Sequence, residues 1–256
     1  MKLPVSVVLL THNEENNVRD CLDSCCGFAQ EIVVVDDAST DKTLEIVKEY
    51  EGVKVFHRSL DGDFGAQKNF GIKQATQEWV FLIDADERVT PQLEMDIRNC
   101  VHAKEKCAYW VQRDNYFKNM VAHHGTMRPS WVLRLLPREG ASVDGKVHET
   151  VRSTFPQKRI PKGRLNHYSY HSWDQFYAKM DHYASLSAAK FAQEGRPCGF
   201  MSHVVISPIW AFFKVYILNL GFLDGKAGFI FAASHYAYTL SKYVRYYQLK
   251  HFDGVL

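Results

Sequence analysis

The sequence predicts an α/β protein: a doubly wound, mostly parallel sheet with helices on both faces, followed by a helical appendage. Three observations carry that reading. Short apolar, β-branched runs alternate with helix patterns four times over the first ~100 residues, the signature of stacked strand–helix–strand units. Polar and acidic residues follow these runs at the same end each time, and ligands bind at the carboxyl edge of such sheets. From residue 200 onward the composition turns aromatic and apolar at helical spacing. The expected division is a sheet domain over residues 1–171 and a helical region over residues 172–256.

The elements follow in order. Residues 5–10 form a continuous apolar run, as expected of a central parallel strand. Thr11-His12-Asn13-Glu14-Glu15 comes next, then a helix pattern over 16–26. Residues 31–35 read as a second buried strand ending in Asp36-Asp37, with a helix running on through Tyr50. Residues 53–56 are a third strand, and the loop from Asp61 to Gly65 leads into a helix carrying Gln67, Lys68 and Asn69. Trp79 to Ile83 is the fourth strand, closed by Asp84-Ala85-Asp86-Glu87, and Thr90-Pro91 then supplies an N-cap and a first-turn proline. Strands are also expected over 108–113, 130–137 and 165–171, and Ser172-Trp173-Asp174-Gln175 opens a helix that reaches Gln193.

Composition narrows the function. With 256 residues and 46% hydrophobic content there is enough for a real core, and a net charge of +2 is too balanced to indicate nucleic acid. Most acids fall in the first half and basic clusters in the second. Six cysteines without a Cys-x-x-Cys pair argue against a disulfide framework or zinc site and for a reducing cytosol. Met-Lys-Leu-Pro runs straight into a strand, so no signal peptide is expected. Neither a Gly-x-Gly-x-x-Gly nor a P-loop pattern follows the first strand.

The candidate site gathers at the strand ends. Asp84 and Asp86 are two close carboxylates that invite a hard divalent ion, which takes a few carboxylates and leaves positions for phosphate oxygens. A solvated, helix-initiating turn is the alternative for Asp84, Asp86 and Glu87. Thr11 and Asn13 after the first strand, and Asp36 and Asp37 after the second, converge on the same crevice. One acid suffices for a helix cap, so the second is unexplained by turn chemistry alone. This set suits a nucleotide whose base meets Thr11, Asn13 and an acid, with a diphosphate on a metal at Asp86 helped by Lys68. Farther on, His148-Glu149 in a glycine-containing loop offers a general base; a surface ion pair with Lys146 or Arg152 is the alternative. His167, Ser169 and His171 share a strand face, and His167 is a candidate metal ligand.

In the tail, residues 206–222 are the most hydrophobic part, interrupted by Pro208, Lys214 and Asn219. A second helix is expected over 229–247, ending near Lys242, Arg245 and Lys250. Two amphipathic helices with a basic fringe suggest lying on a membrane surface, not crossing it. A helical hairpin packed on the sheet domain or a contact with a second copy of the chain is the alternative.

The ordered segments Ser6 to Glu15, Val33 to Asp41, Gly65 to Gly71 and Asp84 to Arg88 resemble the motifs of family-two glycosyltransferases with the GT-A fold. Val147-His148-Glu149, His167-Tyr168-Ser169-Tyr170 and Gly221-Phe222-Leu223-Asp224-Gly225 resemble a narrower subgroup, the lipopolysaccharide core β-1,4-glucosyltransferases. The resemblance covers nearly the whole chain and is specific for glycosyl transfer more than for one sugar. It implies that Thr11, Asn13, Glu15 and one of Asp36 or Asp37 bind the nucleoside. Lys68 and Asn69 would lie near the diphosphate or donor sugar, Asp84 would contact ribose or sugar, and Asp86 with His167 would hold Mn²⁺ or Mg²⁺. Glu149 would be the general base. Asp37-Ala38 departs from the Ser-Gly common in the subgroup, leaving open which acid serves the nucleoside. The implied activity is metal-dependent, inverting transfer of a hexose, glucose the expected sugar, from a UDP-sugar to a lipid-linked glycan at the cytoplasmic membrane face. The alternatives are a polyprenyl-phosphate sugar transferase, which needs no base, and a non-catalytic membrane-docking protein on the same scaffold. An Asp-x-Asp phosphatase fits poorly, because its nucleophilic acid would follow the first strand, where Thr11-His12-Asn13 stands.

Overall fold

The computed structural model describes residues 1–117, 120–146, 149–170 and 172–252, so His148 and His171 lie outside the described residues. The chain forms two compact units, Met1–Arg113 with Ser130–His167, and Asp114–Pro129 with Tyr168–Leu256.

The first unit opens with β1 (Leu3–Thr11), α1 (Val18–Cys26), β2 (Ala29–Asp36), α2 (Thr43–Lys48), β3 (Val53–His57), α3 (Phe64–Gln74) and β4 (Trp79–Asp84). These strands pair in parallel in the order β3-β2-β1-β4. Both faces are covered, which is why each run reads as continuously apolar. Val5, Val7, Leu9, Val34, Phe81 and Ile83 join one core cluster, while Val8, Val33, Val35, Val80 and Leu82 join the other. On the second face α3 comes very close to the sheet: a Cβ on Gly71 would sit 2.4 Å from a Val8 methyl.

Beyond β4 the expectation of a mostly parallel sheet needs correcting. The remaining elements are β5 (Glu87–Val89), α4 (Pro91–Val101), β6 (Ala108–Phe117), β7 (Met120–Val121), β8 (Ser130–Pro137), the hairpin β9 (Ala141–Asp144) and β10 (Thr150–Ser153), and β11 (Gln157–Tyr170). Strand β8 adds to β4 antiparallel, and the order continues β8-β6-β11-β5. The sheet is therefore mixed. Antiparallel neighbours need no crossover helix, so the strand–helix alternation stops after α4. Only Ala85 and Asp86 separate β4 from β5, yet β5 lies at the far end of this strand path, antiparallel to β11. A path that leaves β4 through β8, β6 and β11 and comes back to within two residues of it at β5 must curl, and here that part of the sheet forms a half-barrel. The acidic stretch after β4 is thus a two-residue turn followed by the short strand β5, which comes before α4. Helix α4 begins as expected, with the Thr90 side chain accepting the Leu93 N–H at 3.2 Å and Pro91 in the first turn.

In the second unit, α5 (Trp173–Gln193) starts at Ser172, whose hydroxyl accepts the Gln175 N–H at 3.0 Å. Phe117, Ala122, Met127, Phe176 and Phe231 form its buried cluster. The next helical stretch runs unbroken from Phe200 to Leu218, with α6 (Ser207–Phe213) flanked by π-helical turns. Pro208, one of the residues that interrupt the apolar run, sits where the π-helical turn Phe200–Ile206 passes into α6. The stretch has a mean hydropathy of 1.5 with 17% of it buried, and by length and composition it could cross a membrane. Helix α7 (Gly225–His251) closes the chain.

Candidate active site

The parallel strands end level with one another: Thr11 pairs with Asp36 and Leu10 with Asp84. On the β1–β2 side the polar residues brace two loops. Asp36 is buried and accepts from Thr11 Oγ1 at 2.8 Å, Ser39 N at 2.9 Å and Ser39 Oγ at 2.6 Å. Asn13, in the left-handed region at φ 56°, accepts the Thr40 N–H at 2.8 Å. Glu15 accepts the Lys42 N–H at 3.1 Å. Asp37 is half-buried and gives one oxygen to the Leu60 N–H at 3.0 Å. Both Asp36 oxygens are taken up by Thr11 and Ser39, so of the two acids Asp37 keeps the freer oxygen. Ala38 sits at φ 50°, a conformation that costs a residue with a Cβ roughly 1–2 kcal/mol. This explains physically why glycine suits that position.

At the end of β4 an ion network takes over. Asp84 Oδ2 accepts from Arg134 Nη2 at 2.6 Å, and its Oδ1 lies 3.3 Å from Lys68 Nζ. Lys68 Nζ also donates to Glu149 Oε1 at 2.7 Å. Arg134 Nη2 reaches Glu87 Oε1 at 2.6 Å, and Arg113 Nη1 reaches the same oxygen at 3.2 Å. Glu87 Oε2 accepts the Asp84 N–H at 3.0 Å. Arg134 and Glu87 are only 5% and 0% exposed. Burial alone would push the Asp84 carboxyl up, but the charges of Arg134 and Lys68 outweigh it and hold the group well below the usual carboxylate range.

The β9–β10 hairpin brings Glu149 to this cluster. Its loop docks on the start of α3: Phe64 N donates to Lys146 O at 3.0 Å, and a Cβ on Gly65 would meet Gly145 O at 2.3 Å. Asn69 secures the same hairpin, with its amide exchanging two hydrogen bonds with the Val143 backbone at 2.7 and 2.9 Å. Asn69 therefore does not join the charged cluster; its amide is spent on the scaffold. The cluster opens into a cleft of about 350 Å³ lined by Lys68, Asp84, Arg113, Arg134 and Glu149 on the polar side, and by Trp110, Trp131, Val132, Leu133 and Val151 on the apolar side.

Asp86 takes a different partner. β11 pairs with β5 so that His167 stands opposite Glu87, and His167 Nε2 lies 3.1 Å from Asp86 Oδ2. Among the described residues, no group of three or more His, Cys, Asp or Glu side chains gathers as a metal cage. The Asp86–His167 pair supplies two donors. Neighbouring ligands of an octahedral ion with bonds of ~2.1 Å lie ~3 Å apart. The pair therefore fits two adjacent positions, with the others left to phosphate oxygens and water.

Arg134, Arg113 and Glu87 were missed as site residues in the sequence. A signal existed for Arg134: one arginine inside the apolar run Val132-Leu133-Arg134-Leu135-Leu136 must either find an anion or unfold its strand.

A charged cleft at the carboxyl edge of a curled, mixed α/β sheet sets the class of fold, and the comparisons narrow it. The Glycosyl transferase family 2 profile matches residues 6–161. The chain belongs to that family and is a glycosyltransferase. It is 29% identical over 254 residues to the lipopolysaccharide core biosynthesis glycosyltransferase LpsC of Rhizobium meliloti, covering 96% of this chain and 93% of that one. It is 27% identical over 241 residues to an uncharacterized glycosyltransferase of Rickettsia bellii, covering 88% and 80% respectively. Among solved structures, the mannosyltransferase PcManGT from Pyrobaculum calidifontis, in complex with GDP-Man and Mn²⁺, superimposes with a TM-score of 0.53 at 14% identity, over 98% of this chain and 89% of that one. S. aureus TarS 1-349 in complex with UDP gives 0.50 at 17% identity, over 98% and 92%. At such identities the likeness is one of fold, and that fold resembles GT-A enzymes.

Proposed function

We propose that the chain is a metal-dependent, inverting hexosyltransferase. It moves a hexose, glucose the expected sugar, from a UDP-sugar to a hydroxyl of a lipid-linked glycan such as lipopolysaccharide core. One observation carries this reading: Lys68, Asp84, Arg134 and Glu149 meet in one cleft at the end of β4, two residues before the Asp86–His167 pair. The name of LpsC supports the acceptor class, and the Mn²⁺ in the PcManGT complex supports the metal.

The roles follow from position. Thr11, Asn13, Glu15 and Asp37 frame the nucleoside, with Asp36 as their brace. Asp86 and His167 hold Mn²⁺ or Mg²⁺, which when bound stabilises charge on the leaving diphosphate. Asp84, fixed by Arg134, orients ribose or sugar, and Lys68 faces the donor. Glu149 takes the proton from the acceptor hydroxyl as its oxygen bonds to the anomeric carbon and the bond to phosphate breaks, releasing UDP. Displacement without an enzyme nucleophile inverts the anomeric centre. The exposed apolar stretch Phe200–Leu218 supports docking at the cytoplasmic membrane face.

The experiment is a thermal-shift screen of nucleotide sugars with and without Mn²⁺, followed by product analysis with the best donor. Asp86→Ala and Glu149→Gln are each expected to abolish transfer. No Mn²⁺-dependent UDP-sugar binding by the wild type refutes the reading. A second reading, transfer to a polyprenyl phosphate, is favoured by one contact: Lys68 already neutralises Glu149 at 2.7 Å. An anionic acceptor needs no base, so full activity of Glu149→Gln selects this alternative.

A further inference from the structure

The strand order lays the site out along a line. The β2 and β1 ends carry Asp37 and Asn13, and β4 carries Asp84. Beyond β4 come β8 and β6, which carry Trp131 and Trp110 into the cleft. The apolar wall therefore lies on the side of Asp84 away from the nucleoside residues. Glu149 stands at the junction, because it lines the same cleft and begins the segment that leads through Thr150 to Val151 on the apolar wall.

The wall is also preorganised. The Trp110 indole N–H donates to Gln157 Oε1 at 2.9 Å, which fixes the ring plane. The Arg159 guanidinium lies 4.7 Å from the Trp131 ring centroid, pinning one face of that ring. Gln112 pairs with Trp131 and Leu133 with Trp110 across β6 and β8, so the two indoles hang from neighbouring, hydrogen-bonded strands. Both tryptophans remain partly exposed beside a charged wall. Trp110 packs partly against the core on its face of the sheet, whereas Trp131 joins none of the buried clusters among the described residues. A pyranose suits such a ring: its ring C–H face is apolar and packs on an aromatic plane, while its hydroxyls at the rim need charged partners. The same cleft offers the aromatic plane together with Glu149 and, three residues beyond Trp110 on β6, Arg113.

We propose that Trp131, with Trp110 beside it, is the platform for the acceptor's terminal sugar and sets acceptor affinity by stacking on its C–H face. The inference rests on the proposed transfer reaction and deepens it on the acceptor side. It places the accepting hydroxyl between the indole platform and the Glu149 carboxylate, with the donor held from the β4 side.

The test uses the full-length protein with UDP and Mn²⁺ present. Saturation-transfer NMR is run against a panel of methyl hexopyranosides and methyl heptopyranosides. Wild type is expected to saturate the ring C–H protons of at least one glycoside. Trp131→Ala is expected to weaken that glycoside about tenfold, and Trp131→Phe to retain most of its binding. UDP affinity, measured by calorimetry on the same samples, is expected to be unchanged in both variants, which also confirms that they fold. Equal glycoside binding by Trp131→Ala overturns the proposal. So does a parallel loss of UDP affinity, which assigns the ring to the donor, and so does a panel that wild type does not bind. Failure of the reaction itself reads differently: wild type then binds no UDP, whatever the glycosides do.

Discussion

Removing Glu87 tests whether the site is built on a buried ion network. Its carboxylate is fully buried and accepts three hydrogen bonds, from Arg134, Arg113 and the Asp84 backbone N–H. Glu87→Ala leaves the Arg134 guanidinium, 5% exposed, with Asp84 as its anionic partner, and takes from Arg113 its ion pair with Glu87. Breaking one side of a buried pair costs about 3–5 kcal/mol, because the remaining charge stays desolvated. Arg113 is 23% exposed, so water recovers part of that cost. The orphaned Asp84 N–H adds about 1 kcal/mol. The expected loss is about 3–4 kcal/mol, read from urea unfolding followed by circular dichroism. Glu87→Gln keeps the volume and an acceptor for the N–H, so it separates charge from cavity, and it is expected to lose about 2 kcal/mol or more. A loss below about 1 kcal/mol in Glu87→Ala refutes the argument, because it means water or Asp84 alone satisfies both arginines.

The remaining expectations concern local features. Glu31, buried under Ser6, Thr76 and Lys54, is desolvated, yet its hydrogen bonds pull its pKa to about 2 from an ordinary 4.5. Its stabilisation is complete above the ordinary value and fades as pH falls toward 2; wild type should therefore lose about 2 kcal/mol across that window that Glu31→Gln does not, by urea unfolding at each pH. Ala38→Gly relieves a left-handed alanine at φ 50° and is expected to raise stability by about 0.5–1 kcal/mol in the same assay. Gly71→Ala drives a methyl into Val8, 2.4 Å away, and should cost about 1–3 kcal/mol and lower the melting temperature. Ile209→Glu with Phe213→Glu, both on the exposed side of α6, is expected to abolish cosedimentation with anionic liposomes while leaving UDP binding intact; unchanged cosedimentation refutes membrane docking through this helix.

The sequence made the parallel half of the sheet legible because burial on both faces leaves uninterrupted β-branched runs, as in Val33-Val34-Val35. The antiparallel half was harder. Strand β5 is three residues long, too short for any period to register, and its pairing with β11 joins residues nearly eighty positions apart. No local pattern encodes that closure. The site split the same way. Acids at strand ends could be named because chemistry and position coincide there. The family resemblance implies that Lys68 and Asn69 both lie near the donor, and successive residues on a helix point about 100° apart. Lys68 therefore faces the cleft while Asn69 holds the hairpin. Arg134 and Glu87 act through partners almost fifty residues apart in the chain, so only the folded sheet brings their charges together.

Charge accounting then separates the two acids after β4. Asp84 already has two cations, Arg134 at 2.6 Å and Lys68 at 3.3 Å. A divalent ion bound there would have to compete with a buried guanidinium that has only Glu87 to fall back on. Asp86 pays no such toll. It points across the turn to an imidazole at 3.1 Å, a partner that becomes a metal ligand in its neutral form. Residues two apart in a continuous strand would share a face, but Asp84 ends β4 while Asp86 lies in the turn to β5, so the two side chains reach different partners. One acid completes the scaffold's ion network, and the other is left where a cation and a diphosphate could share it.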